Sequence, residues 1–262
     1  MKNQNWLGPR QGSKMVVAGG CGGIGKVLVA EAIERGLEVV VLDLEQSMSP
    51  ANQVAGASYV PFDARNEMSI TQAISAVEQR WASVDSFVFL CGYPILPRCG
   101  LEQTSLEAWN ELMAVNVTSA YLLTNGLLPV LKKAEHPTIV TVASSLGYQV
   151  MPGMGAYATS KGALVSLTKA IAAENAPQIR CNAVAPGAVE TDFLGGGTGR
   201  SENIAEGRAW FDKLSEKYVS AIPLNRVAEP SDITGPIFFL AGEGSAYMTG
   251  QVLHLNGGRL TP

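Results

Sequence analysis

The sequence predicts an α/β protein: a doubly wound, mostly parallel, seven-stranded sheet with helices on both faces. Three observations carry this expectation. Short β-branched runs alternate with helix-length amphipathic stretches from residue 14 to the C-terminus, the pattern of successive strand–helix–strand units. Several of the runs, Met15–Ala18 and Val39–Leu42 among them, are apolar throughout rather than alternating. Such strands are buried on both faces, as in a parallel sheet covered by helices. The 262 residues are 47% hydrophobic and 16% charged, which excludes a disordered chain and suits one domain of this size, spanning 1–262.

The elements follow in order. Residues 1–13 are polar, hold Gly8, Pro9 and Gly12, and read as a loose lead-in. Strands are expected at Lys14–Gly19, Glu38–Asp43, Ser58–Phe62, Ser86–Leu90, Thr138–Ala143, Ile179–Val184 and Val252–Leu255. Helical patterns lie between them at about 24–35, 67–82, 105–131, 154–175 and 230–241. Residues 191–222 break the rhythm, with Gly195-Gly196-Gly197-Thr198-Gly199 followed by a charged pattern holding Trp210 and Phe211. A long insertion in a compact fold reads as a substrate lid.

Composition narrows the function. The net charge is −4 and no Lys/Arg run occurs, so the footprint of a nucleic-acid binder is missing. Cys21, Cys91, Cys99 and Cys181 form no C-x-x-C, and His136 and His254 are the only histidines, which argues against structural zinc. The apolar runs fall short of the roughly 20 residues of a membrane span, and the N-terminus lacks a charged-then-apolar leader. A cytoplasmic protein with free thiols is expected.

The first strand runs into Gly19-Gly20-Cys21-Gly22-Gly23-Ile24-Gly25 and a helix begins at once. Glycines let the backbone approach a ligand with no Cβ in the way. The helix N-terminus adds unpaired N–H groups and a positive dipole end. Together these suit a pyrophosphate, and the strand–turn–helix context is what the motif requires. The second strand ends in Asp43, eighteen residues beyond Gly25. An acid there accepts the adenosine ribose hydroxyls and repels a 2′-phosphate. Leu44, Glu45 and Gln46 follow it without a cation, which favours NAD over NADP. Asp63, after the third strand, is placed to meet the adenine.

The fifth strand ends at Ser144; Tyr157 comes thirteen residues later and Lys161 four after that. Positions i and i+4 share a helix face. A Lys ammonium beside a phenol lowers its pKa from about 10 toward working pH. The phenol can then exchange a proton with an alcohol or ketone, while the Ser144 hydroxyl holds the same oxygen. Tyr-x-x-x-Lys alone is common; joined to the glycine turn and the strand-end serine it is specific.

With these residues in place, the sequence resembles the short-chain dehydrogenase/reductase family, of Rossmann-type fold, over about residues 12–258. Gly19, Gly23 and Gly25 match its glycine motif, with Gly22 and Ile24 between them. Ser144, Tyr157 and Lys161 match its reacting residues, and Asn116 in Val115-Asn116-Val117 its active-site asparagine. The resemblance implies that Asn116 supports a water relay to Lys161, and that Lys161 also holds the nicotinamide ribose. Pro186-Gly187-Ala188-Val189-Glu190-Thr191 matches its Pro-Gly segment, which implies Val189 at the carboxamide and Thr191 at the phosphates. Leu44, Ala64, Cys91 and Gly92 complete the implied cofactor contacts. The chain departs from the family at Ala18, where a Thr is usual, and at Phe89-Leu90-Cys91-Gly92, where Asn-Asn-Ala-Gly is usual.

The implied reaction is hydride transfer between NAD and a secondary alcohol or ketone. Tyr93, Ile95, Leu96, Tyr148, Val150, Met151, Met154, Phe193, Trp210 and Phe211 are candidates for the substrate pocket. They are mostly apolar or aromatic, so an apolar or cyclic substrate fits; Arg98, the one cation near this set, is read as solvated, with a substrate carboxylate as the alternative partner. Rival readings are a 3-oxoacyl thioester reductase, an NAD-linked epimerase or dehydratase, and a non-catalytic NAD-binding sensor. Small and apolar residues on the helices at 105–131 and 154–175, such as Ala114, Ala120, Ala163 and Ala170, point to a homo-oligomer; the family implies a tetramer.

Overall fold

A computed structural model describes residues 7–195 and 218–261. Seven strands form one sheet: β1 (Lys14–Ala18), β2 (Glu38–Asp43), β3 (Ser58–Pro61), β4 (Ser86–Phe89), β5 (Thr138–Val142), β6 (Arg180–Pro186) and β7 (Val252–Leu255). Their order is β3-β2-β1-β4-β5-β6-β7, and every pairing is parallel, so the sheet is wholly rather than mostly parallel. The chain leaves β1 to one side through β2 and returns to its other side at β4. That reversal opens a crevice at the carboxyl ends of β1 and β4, where ligands bind in such sheets.

The described helices are α1 (Gly23–Glu34), α2 (Glu67–Arg80), α3 (Leu106–Met113), α4 (Ser119–Leu131), α5 (Gly155–Asn175) and α6 (Pro230–Ala241). Alternation along each strand divides the core into two layers. Val16, Ala18, Val40, Leu42, Phe87 and Phe89 face one cluster with Leu123, Leu127 and Leu164. Met15, Val17, Val39, Val41 and Val88 face the other with Leu28, Ile237 and Phe238. Full burial of each large side chain contributes about 1.5–3 kcal/mol.

Local chemistry sets the helix starts. The Asn66 side chain accepts from the Met68 and Ser69 N–H groups at 2.9 and 3.2 Å, and Ser105 accepts from Ala108 N–H at 3.1 Å, both N-caps. Pro230 opens α6, where Asp232 accepts from Glu229 N–H at 2.8 Å and pairs with Arg226. That pairing holds the Asp232 carboxyl down at about 2.

Three expectations need correction. The expected helix 105–131 is interrupted: Ala114–Thr118 is a π turn between α3 and α4, and the Ser119 hydroxyl donates to Val115 O at 2.8 Å beside it. By length and hydropathy Leu106–Leu131 could also cross a membrane, although half of its most apolar window is buried in the protein. Finally, residues 7–9 are not loose: Gly8 and Pro9 are buried, and Leu7 O accepts from Gly244 N–H at 3.0 Å. Of the expected lid, 196–217 lies outside the described residues, Trp210 and Phe211 with it.

Candidate active site

The glycine turn is shaped by backbone crowding. Gly19 has φ +86°, and a Cβ there would lie 2.9 Å from Cys91 N. A Cβ on Gly25 would sit 2.3 Å from Gly19 O, and one on Gly23 2.5 Å from Thr191 Cγ2. Gly22 caps α1 without a side-chain hydrogen bond, and no acid occupies the first turn. The helix end therefore meets the crevice with backbone N–H groups and no internal anion.

Asp43 stands at the end of β2, next to that turn. Its carboxylate accepts from Cys21 N–H and Leu44 N–H, both at 2.8 Å, with further hydrogen bonds from the Cys21 thiol and Ser47. Burial raises its pKa against the pull of these donors. The same contact works on Cys21, whose thiol is pushed up to about 12, mainly by burial and then by the Asp43 charge. Asp63, at the end of β3, pairs with Arg65 at 2.7 Å.

The reacting groups lie where β5 meets α5. Ser144 lies two residues past the end of β5 and accepts from Leu146 N–H at 3.1 Å, and its hydroxyl neighbours the Tyr157 phenol. Lys161 Nζ donates to Val142 O at 2.9 Å and lies 5.7 Å from the Tyr157 ring centroid. Asn116 sits in the π turn, fully buried. Its Oδ1 accepts from Tyr93 N–H at 3.1 Å, and its Nδ2 donates to Ser160 Oγ at 2.9 Å and Tyr93 O at 3.2 Å. A Cβ built on Gly92 would lie 3.1 Å from Lys161 Nζ and 3.3 Å from Asn116 Oδ1, so these groups converge on one glycine.

Electrostatics depart from the sequence reading. The Tyr157 phenol is not lowered in the free protein: burial raises it, and the neighbouring Ser144 hydroxyl opposes that. The cost falls on Lys161, which burial brings down to about 8 while the neighbouring Cys91 pulls the other way. An ammonium kept from water in this way is also weakened as a source of charge.

One cavity of about 250 Å3 joins these parts. Gly19, Gly22, Gly23, Ile24, Gly25, Asp43, Leu44, Asp63, Ala64, Cys91, Gly92, Pro186, Gly187, Val189 and Thr191 all line it, together with Ser144, Tyr157 and Lys161. Asn116 does not; it lies behind the wall, holding the Tyr93 backbone. The glycine cradle that a Cβ would fill, the bare helix end and Asp43 fit a dinucleotide.

The expected substrate residues divide. Met151, Met154 and Phe193 line the cavity, and Phe193 lies 5.8 Å from Tyr157 between ring centroids. Tyr93 and Ile95 do not: the Tyr93 backbone is taken by Asn116, and Ile95 faces a separate small pocket behind Tyr157. Tyr148 instead meets His254 edge-on at 4.5 Å, while Leu96 and Val150 are exposed. Arg98, expected in solvent, lines the cavity half-buried. Leu146, Tyr218 and Val219 also line it and were missed. Leu146 adjoined a recognised serine; the other two lie in the 191–222 stretch read as a lid, from which only Phe193, Trp210 and Phe211 were singled out.

Comparison with known proteins agrees with this geometry. A family model described as enoyl-(acyl carrier protein) reductase matches residues 19–259. A 3-oxoacyl-[acyl-carrier-protein] reductase of Aquifex aeolicus is 30% identical over 257 residues, 95% of this chain and 97% of its own. A 2-(S)-hydroxypropyl-CoM dehydrogenase of Xanthobacter autotrophicus is 30% identical over 251 residues, covering 93% and 95%. Among solved structures, a Beutenbergia cavernae protein provisionally described as an NAD(P)-dependent gluconate 5-dehydrogenase, with NADP bound at low occupancy, superposes with a TM-score of 0.83. It is 30% identical and covers 96% and 98% of the two chains.

Proposed function

The chain belongs to the short-chain dehydrogenase/reductase family, and from that premise we propose that it is an NAD-dependent dehydrogenase interconverting a secondary alcohol and a ketone. Enzymes of this family are oxidoreductases that bind a nicotinamide cofactor and act on small molecules. The observation that carries the finer reading is that Ser144, Tyr157 and Lys161 line the same cavity as the glycine turn.

When bound, the nicotinamide cofactor accepts or supplies the hydride. The glycine turn and the α1 N-terminus hold its pyrophosphate, and Asp43 accepts from its adenosine ribose hydroxyls. Ser144 holds the substrate oxygen, and Tyr157 takes its proton in oxidation or returns it in reduction. Lys161 sits below the phenol and biases that exchange by its charge. Asn116 fixes the Tyr93 backbone and Ser160, and so the seat of Lys161. Oxidation needs the phenolate, so its rate rises with pH, while ketone reduction falls.

Preference for NAD rests on Asp43, whose charge beside the turn disfavours a 2′-phosphate. A panel of secondary alcohols with NAD and with NADP, followed by nicotinamide absorbance, tests both points. NAD-linked turnover that disappears in Tyr157→Phe, with NAD binding kept, supports the reading. Turnover near wild type in Tyr157→Phe rejects it. Equal use of both cofactors rejects the role of Asp43. The 3-oxoacyl reductase reading is favoured by the Aquifex aeolicus relative; NADP-linked turnover of a 3-oxoacyl thioester would replace the first reading with it.

A cytoplasmic homotetramer is the assembly proposed. Leu106 and Tyr121, on α3 and α4, are 74% and 49% exposed, apolar area that a second copy would cover. Light scattering should give about four chain masses, and a monomer contradicts the proposal.

A further inference from the structure

The strand order sets the parts of the cavity along one line. Ser144 lies just past β5, the glycine turn follows β1, Asp43 ends β2 and Asp63 lies just past β3. Over this part the sheet runs β3-β2-β1-β4-β5. Four strand spacings, roughly 19 Å, separate β5 from β3. A dinucleotide with its pyrophosphate at the turn and its reacting ring at Ser144 therefore brings its base to Asp63. Leu44, Ala64 and Val115 line the cavity with Asp63 and offer apolar atoms that a base would cover.

The Asp63 carboxylate is held from outside the cavity. Arg65 Nε donates to its two oxygens at 3.0 and 3.2 Å, and Nη2 donates to Oδ2 at 2.7 Å. The Arg65 backbone N–H also donates to Oδ1, at 2.9 Å. The Asp63 backbone is fixed as well: its N–H donates to Ser69 Oγ at 2.9 Å, and its carbonyl accepts from Asn66 N–H at 3.0 Å. On its other side the guanidinium meets α3, with Nη1 3.5 Å from Glu111 Oε1. Asp63 lines the cavity, whereas Arg65 and Glu111 do not. Partly exposed ion pairs add little to fold stability, but a guanidinium fork fixes the plane of the carboxylate it holds. An ionised carboxylate can only accept, so its partner in the cavity has to be a donor. Adenine offers an exocyclic amino group, where hypoxanthine carries an accepting oxygen.

We propose that Asp63 selects the base of the cofactor by accepting from the adenine amino group, and that Arg65, braced by Glu111, is the positioning residue that sets this selectivity. The inference rests on the dinucleotide reading of the same cavity and adds how one base is told from another.

Calorimetric titration of the protein with NAD and with nicotinamide hypoxanthine dinucleotide tests it. The wild type should hold NAD about tenfold more tightly than the deaminated analogue. Arg65→Gln should bring that ratio below about threefold by weakening NAD, and Arg65→Lys should keep part of it, a point charge replacing the fork. Asp63→Asn should abolish the ratio, since the amide can turn to donate to the hypoxanthine oxygen. Glu111→Gln should act in the direction of Arg65→Gln, to a smaller extent. An Arg65 that only supports the fold would weaken both dinucleotides alike and leave the ratio unchanged. Equal affinity for the two in the wild type, or a ratio that survives Arg65→Gln, overturns the proposal, while NAD-linked alcohol turnover keeps the dehydrogenase reading standing. Should the Arg65 variants melt early, an unchanged ratio in Glu111→Gln overturns the brace. An Arg65→Gln effect confined to NADP assigns the guanidinium to a 2′-phosphate and overturns the proposal too. A wild type that shows the ratio but turns over no alcohol keeps the base recognition and overturns the dehydrogenase reading; one that binds neither dinucleotide overturns both.

Discussion

Asn116 Nδ2 donates to Ser160 Oγ at 2.9 Å, and this bond pins the π turn between α3 and α4 to α5, one residue before Lys161. The Ser160 hydroxyl donates onward to Tyr157 O at 2.7 Å, while the two bonds to the Tyr93 backbone fix the loop after β4. A π turn is a costly departure from the α-helix that recurs at functional sites. Here it turns a fully buried amide toward three partners at once.

Asn116→Ala should therefore cost about 1–3 kcal/mol of stability, because it strands buried polar groups. It should also lower kcat more than it raises KM for the substrate, since no cavity-lining atom is removed. Asn116→Asp should not rescue, because a carboxylate cannot donate to Tyr93 O and Ser160 Oγ. Thermal melts with steady-state kinetics check this. An Asn116→Ala enzyme with wild-type kcat would show that the amide is purely structural.

Lys161 gives a prediction with a defined pH window. Its pKa falls from 10.5 to about 8 on burial. Between these values the unfolded chain binds the proton and the folded chain does not, so stability rises with pH across that interval. Below about 8 the folded protein carries the ammonium at full cost. Lys161→Met removes this cost and should unfold no earlier than wild type at pH 7, by a margin of roughly 1 kcal/mol at most. The margin should shrink as the pH climbs through the window, while activity falls by about a hundredfold or more. Urea titrations of the cofactor-free protein at pH 7 and 10 read it. Identical pH dependence in variant and wild type would remove Lys161 as the titrating group.

Two neighbouring glycines should behave oppositely. A Cβ on Gly25 meets Gly19 O at 2.3 Å, whereas one on Gly22 has only Gly19 O at 3.6 Å, an ordinary contact. Gly25→Ala should shift the turn, weaken NAD binding by about tenfold or more and destabilise the fold by roughly 1–3 kcal/mol. Gly22→Ala should melt within about 0.5 kcal/mol of wild type. Equal melting of the two variants would mean that the turn relaxes around either methyl group.

Much of this site was legible because its parts sit at the ends of regular elements. The continuously apolar strands fix the sheet, and the sheet fixes where Gly19, Asp43 and Ser144 emerge. The i, i+4 spacing then sets Tyr157 and Lys161 on one face. Three things were not legible, each for a physical reason. The π turn at Ala114–Thr118 depends on the tertiary partners of Asn116, which helical periodicity does not encode. The protonation balance depends on burial, so a pairing that lowers a phenol in water leaves this one raised and depresses the lysine instead. The placing of Arg98 inside the cavity, and of Tyr93 and Ile95 outside it, is decided by the path of the loop after β4. That loop has no period from which to read a face.

The far wall of the cavity is held by the C-terminal turn. The Arg259 guanidinium lies 4.1 Å from the centroid of the Tyr218 ring, and Tyr218 and Val219 line the cavity. Asn256 closes the turn, its Nδ2 donating to Leu260 O at 2.9 Å and its Oδ1 accepting from Gly258 N–H at 3.0 Å. A cation over an aromatic face contributes about 0.5–2 kcal/mol, so Arg259→Ala should loosen the wall without unfolding the sheet. KM for the alcohol should rise by about two- to thirtyfold, the range that this energy spans, with kcat and KM for NAD changing less. Asn256→Ala should act in the same direction, because it frees the turn that carries Arg259. A rise confined to KM for NAD would place Tyr218 against the cofactor instead, and the substrate would then have to be held by other lining residues such as Met151 and Met154.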